Sequence, residues 1–327
     1  MAVTVKDVAK LAGVSTATVS RVINNDHRIS ENTKHHVMDC IKRLDYRINS
    51  IARSLKTSKT YTVGFICPEI PNDFFMNIAK GVEDELRKHG YSMIICNSNE
   101  SVMEEVERIN LLCEKCVDGI IIVPASGEGK HLNRLKENDM PVVLVDRLVE
   151  DFTADAVLVD NTNGCYSAVE YLVNQGHRRI GFIGGDMRVT SARERYEGYI
   201  RVLKDYRIFV ENEIIKFGDF HVQSGYNLIK ELAQVEKPPD QVFISNYFMH
   251  VGATKYLIEH RNKLKWPVSI TCFDDMELSS ILGFSKVRIA QPMAEIGIKA
   301  AEVLLARIDK EELGFPQIIR LKTQLII

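Results

Sequence analysis

No apolar run in the 327 residues approaches the ~18 that a membrane-spanning helix needs. The N-terminus, MAVTVKDVAKLAG, has no apolar core of the kind a secretory signal carries. Together these absences make the cytosol the expected location, with no membrane partner. Seven cysteines form no regular framework, and an odd number argues for a reducing compartment. The one close pair, Cys113-x-x-Cys116, has no second ligand pair, so it reads as ordinary packing and no metal or cofactor is expected. Nucleotide-binding signatures are missing too. The glycines of RRIGFIGGD (178–186) do not complete G-x-G-x-x-G after a first strand, and no P-loop Lys-Ser/Thr follows. His177, beside Arg178 and Arg179, has no evident nucleophile. An enzyme is therefore not expected.

What is there is an ordinary globular composition, 45% apolar and 26% charged, in a chain long enough for two or three domains. Net charge is only −2, but it is unevenly placed. Residues 1–60 carry 11 Lys and Arg against 5 Asp and Glu, and the remainder carries 31 against 39. A small basic head on an acidic body suits a polyanionic partner, although a chance charge run gives the same count.

The head reads as short helices. Thr4-Val5-Lys6-Asp7 resembles a capping box, and Val8, Leu11 and Ala12 follow at helical spacing. Gly13 ends that helix and Ser15 caps the next, in which Val19, Val22 and Ile23 make an apolar stripe. Asn24-Asn25-Asp26 is a turn. Ser30 starts a third helix with Val37, Ile41 and Leu44 on one face. Helix, glycine turn, helix and supporting helix is the helix-turn-helix plan. Small polar residues and one Arg on the second helix let it approach base edges and phosphates in a major groove. A surface helix of a small bundle is the bland alternative. Residues 49–59, NSIARSLKTSK, are a short basic segment, long enough only for a marginal helix.

From Thr60 the pattern changes. Strands are expected at 62–68, 91–98, 119–125, 141–146, 156–160, 179–185, 241–246 and 268–275. Amphipathic helices are expected at 77–89, 104–116, 164–175, 192–204, 223–233 and 293–309. Alternation of this kind predicts α/β lobes with doubly wound parallel sheets, two in number, with a cleft between them. Ligands of such sheets sit beyond the carboxyl ends of the strands. Polar and aromatic residues gather there: Asn72-Asp73-Phe74-Phe75, Asp146-Arg147, Asp160-Asn161, Asn246 and Asp274-Asp275. Carboxylates and Arg bind hydroxyls in pairs, and rings cover apolar CH faces, so a polyhydroxylated ligand fits this set.

The head sequence VTVKDVAKLAGVSTATVSRVIN, followed by RISENTKHHVMDCIKRLDYRINSIARSL, closely resembles the lac/gal repressor family of bacterial transcription regulators. The body continues the resemblance in order through TVGFICPEIPNDFF, VDGIIIVP, PVVLVDR, GHRRIGFIGG, RYEGYIRVL and VSITCFDD. The resemblance implies a helix-turn-helix DNA-binding domain over 1–47, a hinge helix over 48–60, and a periplasmic-binding-protein-like effector and dimerisation domain over 61–327. It implies a transcriptional regulator, most often a repressor, that binds a double-stranded, pseudo-palindromic operator as a homodimer under allosteric control by a small molecule. A sugar or sugar derivative is the expected effector.

Carried over residue by residue, Thr16, Ala17 and Arg21 fall where bases are contacted, and Thr4, Ser15 and Ser20 where phosphates are. In the hinge, Asn49 starts the helix, and Leu55, with Ala52 beside it, takes the place of a wedge into a central CG step. For the effector, the resemblance points to Asp73, Phe74, Phe75, Asp146, Arg147, Asp160, Ser191, Arg195, Phe220, Asn246, Tyr247, Asp274 and Gln291. Each also fits a structural role: Asp160 or Asp274 as a helix cap, Phe220 as core. Two departures stand out. The usual Pro-Asn opening of the hinge is Ile48-Asn49, which removes a pre-set φ at the helix start. The usual Asn-Asp near 246 is Asn246-Tyr247, a phenol for a carboxylate, so a different hydroxyl pattern is read. The chain stops at LKTQLII with no leucine heptad, which favours a dimer over a tetramer. A cytosolic sugar receptor without a transcriptional role is the alternative expectation.

Overall fold

The computed structural model describes the chain except residues 1–2, 24–25, 27, 47–58, 263, 265, 277–284, 286 and 312–313. Two compact units emerge, Met1–Thr60 and Tyr61–Ile327. The hinge residues Asn49, Ala52 and Leu55 lie outside the described residues.

The first unit holds helices α1 (Val5–Ala12), α2 (Thr16–Ile23) and α3 (Glu31–Arg43). Asp7 anchors the start of α1, accepting from the Thr4 backbone N–H at 2.9 Å and from its hydroxyl at 2.6 Å. These bonds hold the Asp7 carboxyl below its ordinary range. Gly13 closes α1 at φ 63°, where a side chain is disfavoured, and the Val14 N–H turns back to the Ala9 carbonyl at 3.1 Å. Ser15 and Ser30 cap the next two helices through the N–H groups of Thr18 and Thr33. Val8, Ala9, Ala12, Val19, Val22, Val37 and Cys40 form the core of the three helices. The expected stripe is corrected at one place: Leu11 is 42% exposed, and Ala9 packs inward instead.

The second unit contains two six-stranded sheets. The first sheet runs β2 (Ser92–Asn97), β1 (Thr62–Cys67), β3 (Gly119–Ile122), β4 (Val142–Val145), β5 (Asp155–Val159) and β11 (Ile318–Leu321), parallel throughout. The second runs β7 (Ile215–Phe217), β6 (Ile180–Gly184), β8 (Gln241–Ile244), β9 (Ser269–Phe273), β10 (Arg288–Ala290) and β12 (Gln324–Ile326). Only β12 is antiparallel in it. Between strands lie helices α4 (Asp73–Lys88), α5 (Val102–Glu114), α6 (Asn133–Glu137), α7 (Asn161–Asn174), α8 (Thr190–Asp205), α9 (Val222–Leu232), α10 (Tyr247–Glu259) and α11 (Met293–Ile308). Central strands are buried on both faces, which is why they read as unbroken runs such as GIII and VVLV.

The chain passes between the lobes three times. It leaves the first after β5, returns from β10 into α11, and crosses again from β11 to β12. Helix α11 therefore packs against α4 of the first lobe, and glycines let the two backbones close up. A Cβ at Gly81 would lie 2.3 Å from the Ala294 carbonyl oxygen, and one at Gly297 2.1 Å from that of Ile78. Three segments of the chain thus cross one boundary between the lobes.

The expected strands and helices are present within a few residues. Unforeseen are α6, α10, β7, β10, β11 and β12. Cys113 is half-buried in α5 and Cys116 is exposed just beyond it, so the pair is only partly the packing feature expected. Among the described residues no helix is long and apolar enough to cross a membrane, and no cluster of acidic, His and Cys side chains is placed to hold a metal.

Candidate functional site

In the first unit the candidate surface is the outer face of α2. Thr16 and Ala17 in its first turn and Arg21 one turn on are exposed, while Ser20 is half-buried. Their spacing puts them on one face, opposite buried Val19 and Val22. Thr4 and Ser15, at the starts of α1 and α2, are exposed as well. The Ser15 hydroxyl shares a 2.9 Å bond with that of Thr18. A helix with small side chains at its N-terminal end and one free-standing Arg can lie deep in a groove, because nothing bulky holds it off.

In the second unit the two lobes meet over a cleft at the carboxyl ends of their strands. Eleven of the thirteen expected residues line it: Phe74, Phe75, Asp146, Arg147, Ser191, Arg195, Phe220, Asn246, Tyr247, Asp274 and Gln291. Free space between these side chains is about 50 Å³, enough for a few waters. The first turn of α4 supplies the phenylalanines, whose rings meet edge to face at 5.2 Å. Asn72 caps that helix through the Phe74 N–H at 3.0 Å. Asn246 caps α10 through the Met249 N–H at 3.1 Å, and its amide donates to the Phe220 carbonyl at 3.0 Å.

Two guanidiniums are buried in the cleft. Arg147 donates through both Nη atoms to the Glu100 carboxylate, 2.8 Å each, and also to the Pro124 carbonyl at 3.0 Å. Its Nε reaches Asp146 at 3.3 Å, and its plane lies 5.7 Å from the Phe220 ring of the other lobe. Arg195 donates to the Asn161 side chain at 2.8 Å and to the Ser245 carbonyl at 2.7 Å, and stands 3.9 Å over the Phe273 ring. Its Nη2 is 4.0 Å from Asp146 of the first lobe. Asp274 accepts from the Tyr247 N–H at 3.2 Å and from the Gln291 amide.

Burial pushes the Asp146 carboxyl above its ordinary range, against the pull of Arg147 and Arg195. It does the same to Asp274, against Arg195. The Asp146 Oδ1 and Gln291 Oε1 atoms are buried with no hydrogen-bond donor. Asp146, Phe220 and Asp274 all have left-handed backbones, φ 68°, 70° and 82°. Such conformations cost roughly 1–3 kcal/mol for non-glycine residues and gather where geometry serves a ligand.

Two expected residues are not in the cleft. Asp160 is the N-cap of α7, accepting from the Asn163 N–H at 3.1 Å and its amide at 2.6 Å. A cap uses both of its oxygens locally, and Asn161 beside it is the residue that reaches Arg195. Asp73 is exposed in the first turn of α4, facing away from its buried neighbours Phe74 and Phe75. Asn72, at a strand end where polar residues were expected to gather, also lines the cleft, and sequence reasoning missed Glu69, Glu100, His221 and Phe248, which line it too. Glu69 and His221 face each other across it at 3.5 Å.

Comparison with known proteins decides the family. Residues 4–49 match the model of bacterial regulatory proteins of the lacI family. Residues 60–321 match the model of periplasmic binding proteins and the sugar binding domain of the LacI family. The chain belongs to the LacI family. It is 35% identical to the HTH-type transcriptional regulator RegA of Clostridium saccharobutylicum, over 98% of this chain and 96% of RegA. A solved complex of the transcriptional regulator CelR with cellobiose is 28% identical, with TM-score 0.75, over 99% of this chain and 98% of CelR. The lac repressor dimer bound to operator and an anti-inducer, 22% identical, shares the fold with TM-score 0.85 over 100% and 98% of the two chains. This LacI-family chain is a DNA-binding transcription regulator with an effector-binding domain, and not an enzyme.

Proposed function

We propose that this regulator is a repressor that binds a pseudo-palindromic operator as a homodimer in the cytoplasm, and that a sugar or sugar derivative in the cleft changes its affinity for DNA. The observation that carries the reading is the cleft itself. Its polar groups come from both lobes, so a ligand between them sets how far the lobes close. Arg147 of the first lobe meets the Phe220 ring, Arg195 of the second approaches Asp146, and Glu69 approaches His221. Further from the cleft, Thr190 donates to the Leu148 carbonyl at 2.7 Å and Arg320 pairs with Glu194 at 2.7 Å. A ligand that binds one degree of closure better shifts the population toward it, with coupling typically of 1–3 kcal/mol. Aromatic faces beside carboxylates, and the cellobiose complex of CelR, support a sugar over other small molecules.

On the DNA side, Thr16, Ala17 and Arg21 read bases, and Thr4, Ser15 and Ser20 hold phosphates. Residues 48–60 act as the hinge, with Asn49, Ala52 and Leu55 toward the minor groove and Leu55 as the wedge. The head then spans 1–47 and the effector domain 61–327. Selection from a random duplex pool at moderate salt, followed by sequencing, tests this. A pseudo-palindrome with a central CG step, bound at least tenfold less tightly by Leu55→Ala, is the expected result. Enrichment of no sequence, with or without a panel of sugars, overturns it and favours a receptor without a transcriptional role.

A further inference from the structure

The charges of the cleft do not balance. Four carboxylates, Glu69, Glu100, Asp146 and Asp274, line it against two guanidiniums, Arg147 and Arg195, and the imidazole of His221 beside Glu69, and among the described residues no lysine joins them. Hydrogen bonding is lopsided in the same direction. Glu100 and the Pro124 carbonyl occupy both Nη atoms of Arg147, while Asn161 and Ser245 occupy Nε and Nη1 of Arg195, whose Nη2 stands 4.0 Å from Asp146 Oδ1, beyond hydrogen-bond reach. Against those engaged donors stand two buried acceptors that have none, Asp146 Oδ1 in the first lobe and Gln291 Oε1 at the end of β10. A buried acceptor without a donor costs free energy that a ligand donor would recover. A phosphate or carboxylate brings only acceptors and more negative charge, so it worsens both imbalances. Hydroxyl and amine groups correct the shortage of donors, and an ammonium group corrects both imbalances.

We infer that this cleft selects a donor-rich polyol without negative charge, favours an amino derivative over the neutral parent, and rejects phosphorylated and acidic derivatives. The inference rests on the reading of this cleft as the effector site. Glu100 sets the selection twice over, by its own charge and by holding Arg147 away from any anion. Glu69, half-exposed and facing His221, adds charge without touching Arg147.

The test uses the full chain and matched sets of sugars, each a parent hexose or pentose with its amino, phosphorylated and uronic-acid forms. Thermal shift finds the set that binds, and calorimetry ranks its members. The expected order is amino form first, then parent, with the anionic forms at least tenfold weaker than the parent. Glu100→Gln is expected to narrow the affinity gap between the parent and the phosphorylated form at least tenfold. Should Glu100→Gln fold poorly, Glu69→Gln is expected to relax the rejection of anions by several-fold with the Arg147 contacts intact. An anionic member that binds wild type more tightly than its parent overturns the charge selection and leaves the effector site standing. Binding by no member of any class, in a protein that still holds its operator, overturns the effector-site reading and the selection with it.

Discussion

Glu100 holds Arg147 by both arms, with each Nη atom 2.8 Å from a carboxylate oxygen, and so a residue on the turn after β2 fixes one that follows β4. The second guanidinium, Arg195, is fixed from the other lobe by Asn161 and Ser245. The cleft is thus pre-shaped by ion pairs and caps before any ligand enters, and its sensitivity to mutation follows from that.

Arg195→Met removes the donor to Asn161 and the cation nearest Asp146 from the second lobe. An uncompensated buried carboxyl and amide remain. Stability is expected to fall by about 2–4 kcal/mol, and the effector is expected to lose its influence on operator affinity. Calorimetric unfolding and an operator titration with and without sugar check the two parts separately.

Arg21→Ala on the exposed face of α2 is expected to weaken operator binding by roughly 1–3 kcal/mol if Arg21 reads a guanine, with relaxed preference at one position. A phosphate contact instead weakens all duplexes alike and lowers the salt slope by about one. Binding isotherms at several salt concentrations on matched and altered operators separate these outcomes.

His250 on α10 is buried, with its Nε2 2.7 Å from the Ser285 hydroxyl, and burial lowers its pKa to about 4. The unfolded chain has the ordinary value near 6.5 and therefore takes up the proton first as pH falls. Stability associated with neutral His250 is fully present above pH 6.5 and is lost progressively down to pH 4, on the order of 3 kcal/mol in all. Denaturant melts at pH 7, 5.5 and 4.5 measure the loss. His250→Gln is expected to flatten that part of the profile.

Gly297→Ala puts a methyl group 2.1 Å from the Ile78 carbonyl oxygen, where backbone, not a flexible side-chain tip, must yield. The expected cost is about 2 kcal/mol or more. Because α11 follows one of the three crossings, altered effector response is expected along with the lower melting temperature.

Much of this was legible in the sequence for a physical reason. Strands buried on both faces are unbroken apolar runs, and residues that line the cleft follow them directly, which is why the positions of Asp146-Arg147 and Asp274 at strand ends could be read. Helix α10 was missed because it is apolar on most faces, with His250 and Thr254 buried in it, and shows no helical period. Strands β7, β10 and β12 have three residues each, too few for a pattern. Glu100 lies beyond an expected strand but behind two left-handed residues, Asn99 and itself, φ 52° and 53°, and such a turn is not readable from composition. His221 follows β7, and without that strand it had no frame. For Asp160 the sequence left a cap and a ligand contact equally open, because both use the same carboxylate at the same strand end, and the structure shows the cap.

The most direct measurement is the affinity of the wild-type chain for its selected operator, by fluorescence anisotropy, over a titration of the sugar that the thermal screen identifies. A change of 5- to 150-fold in Kd for wild type, absent in Arg195→Met, is the predicted result. An operator affinity that no ligand alters, or one altered equally in Arg195→Met, would contradict control of DNA binding through this cleft.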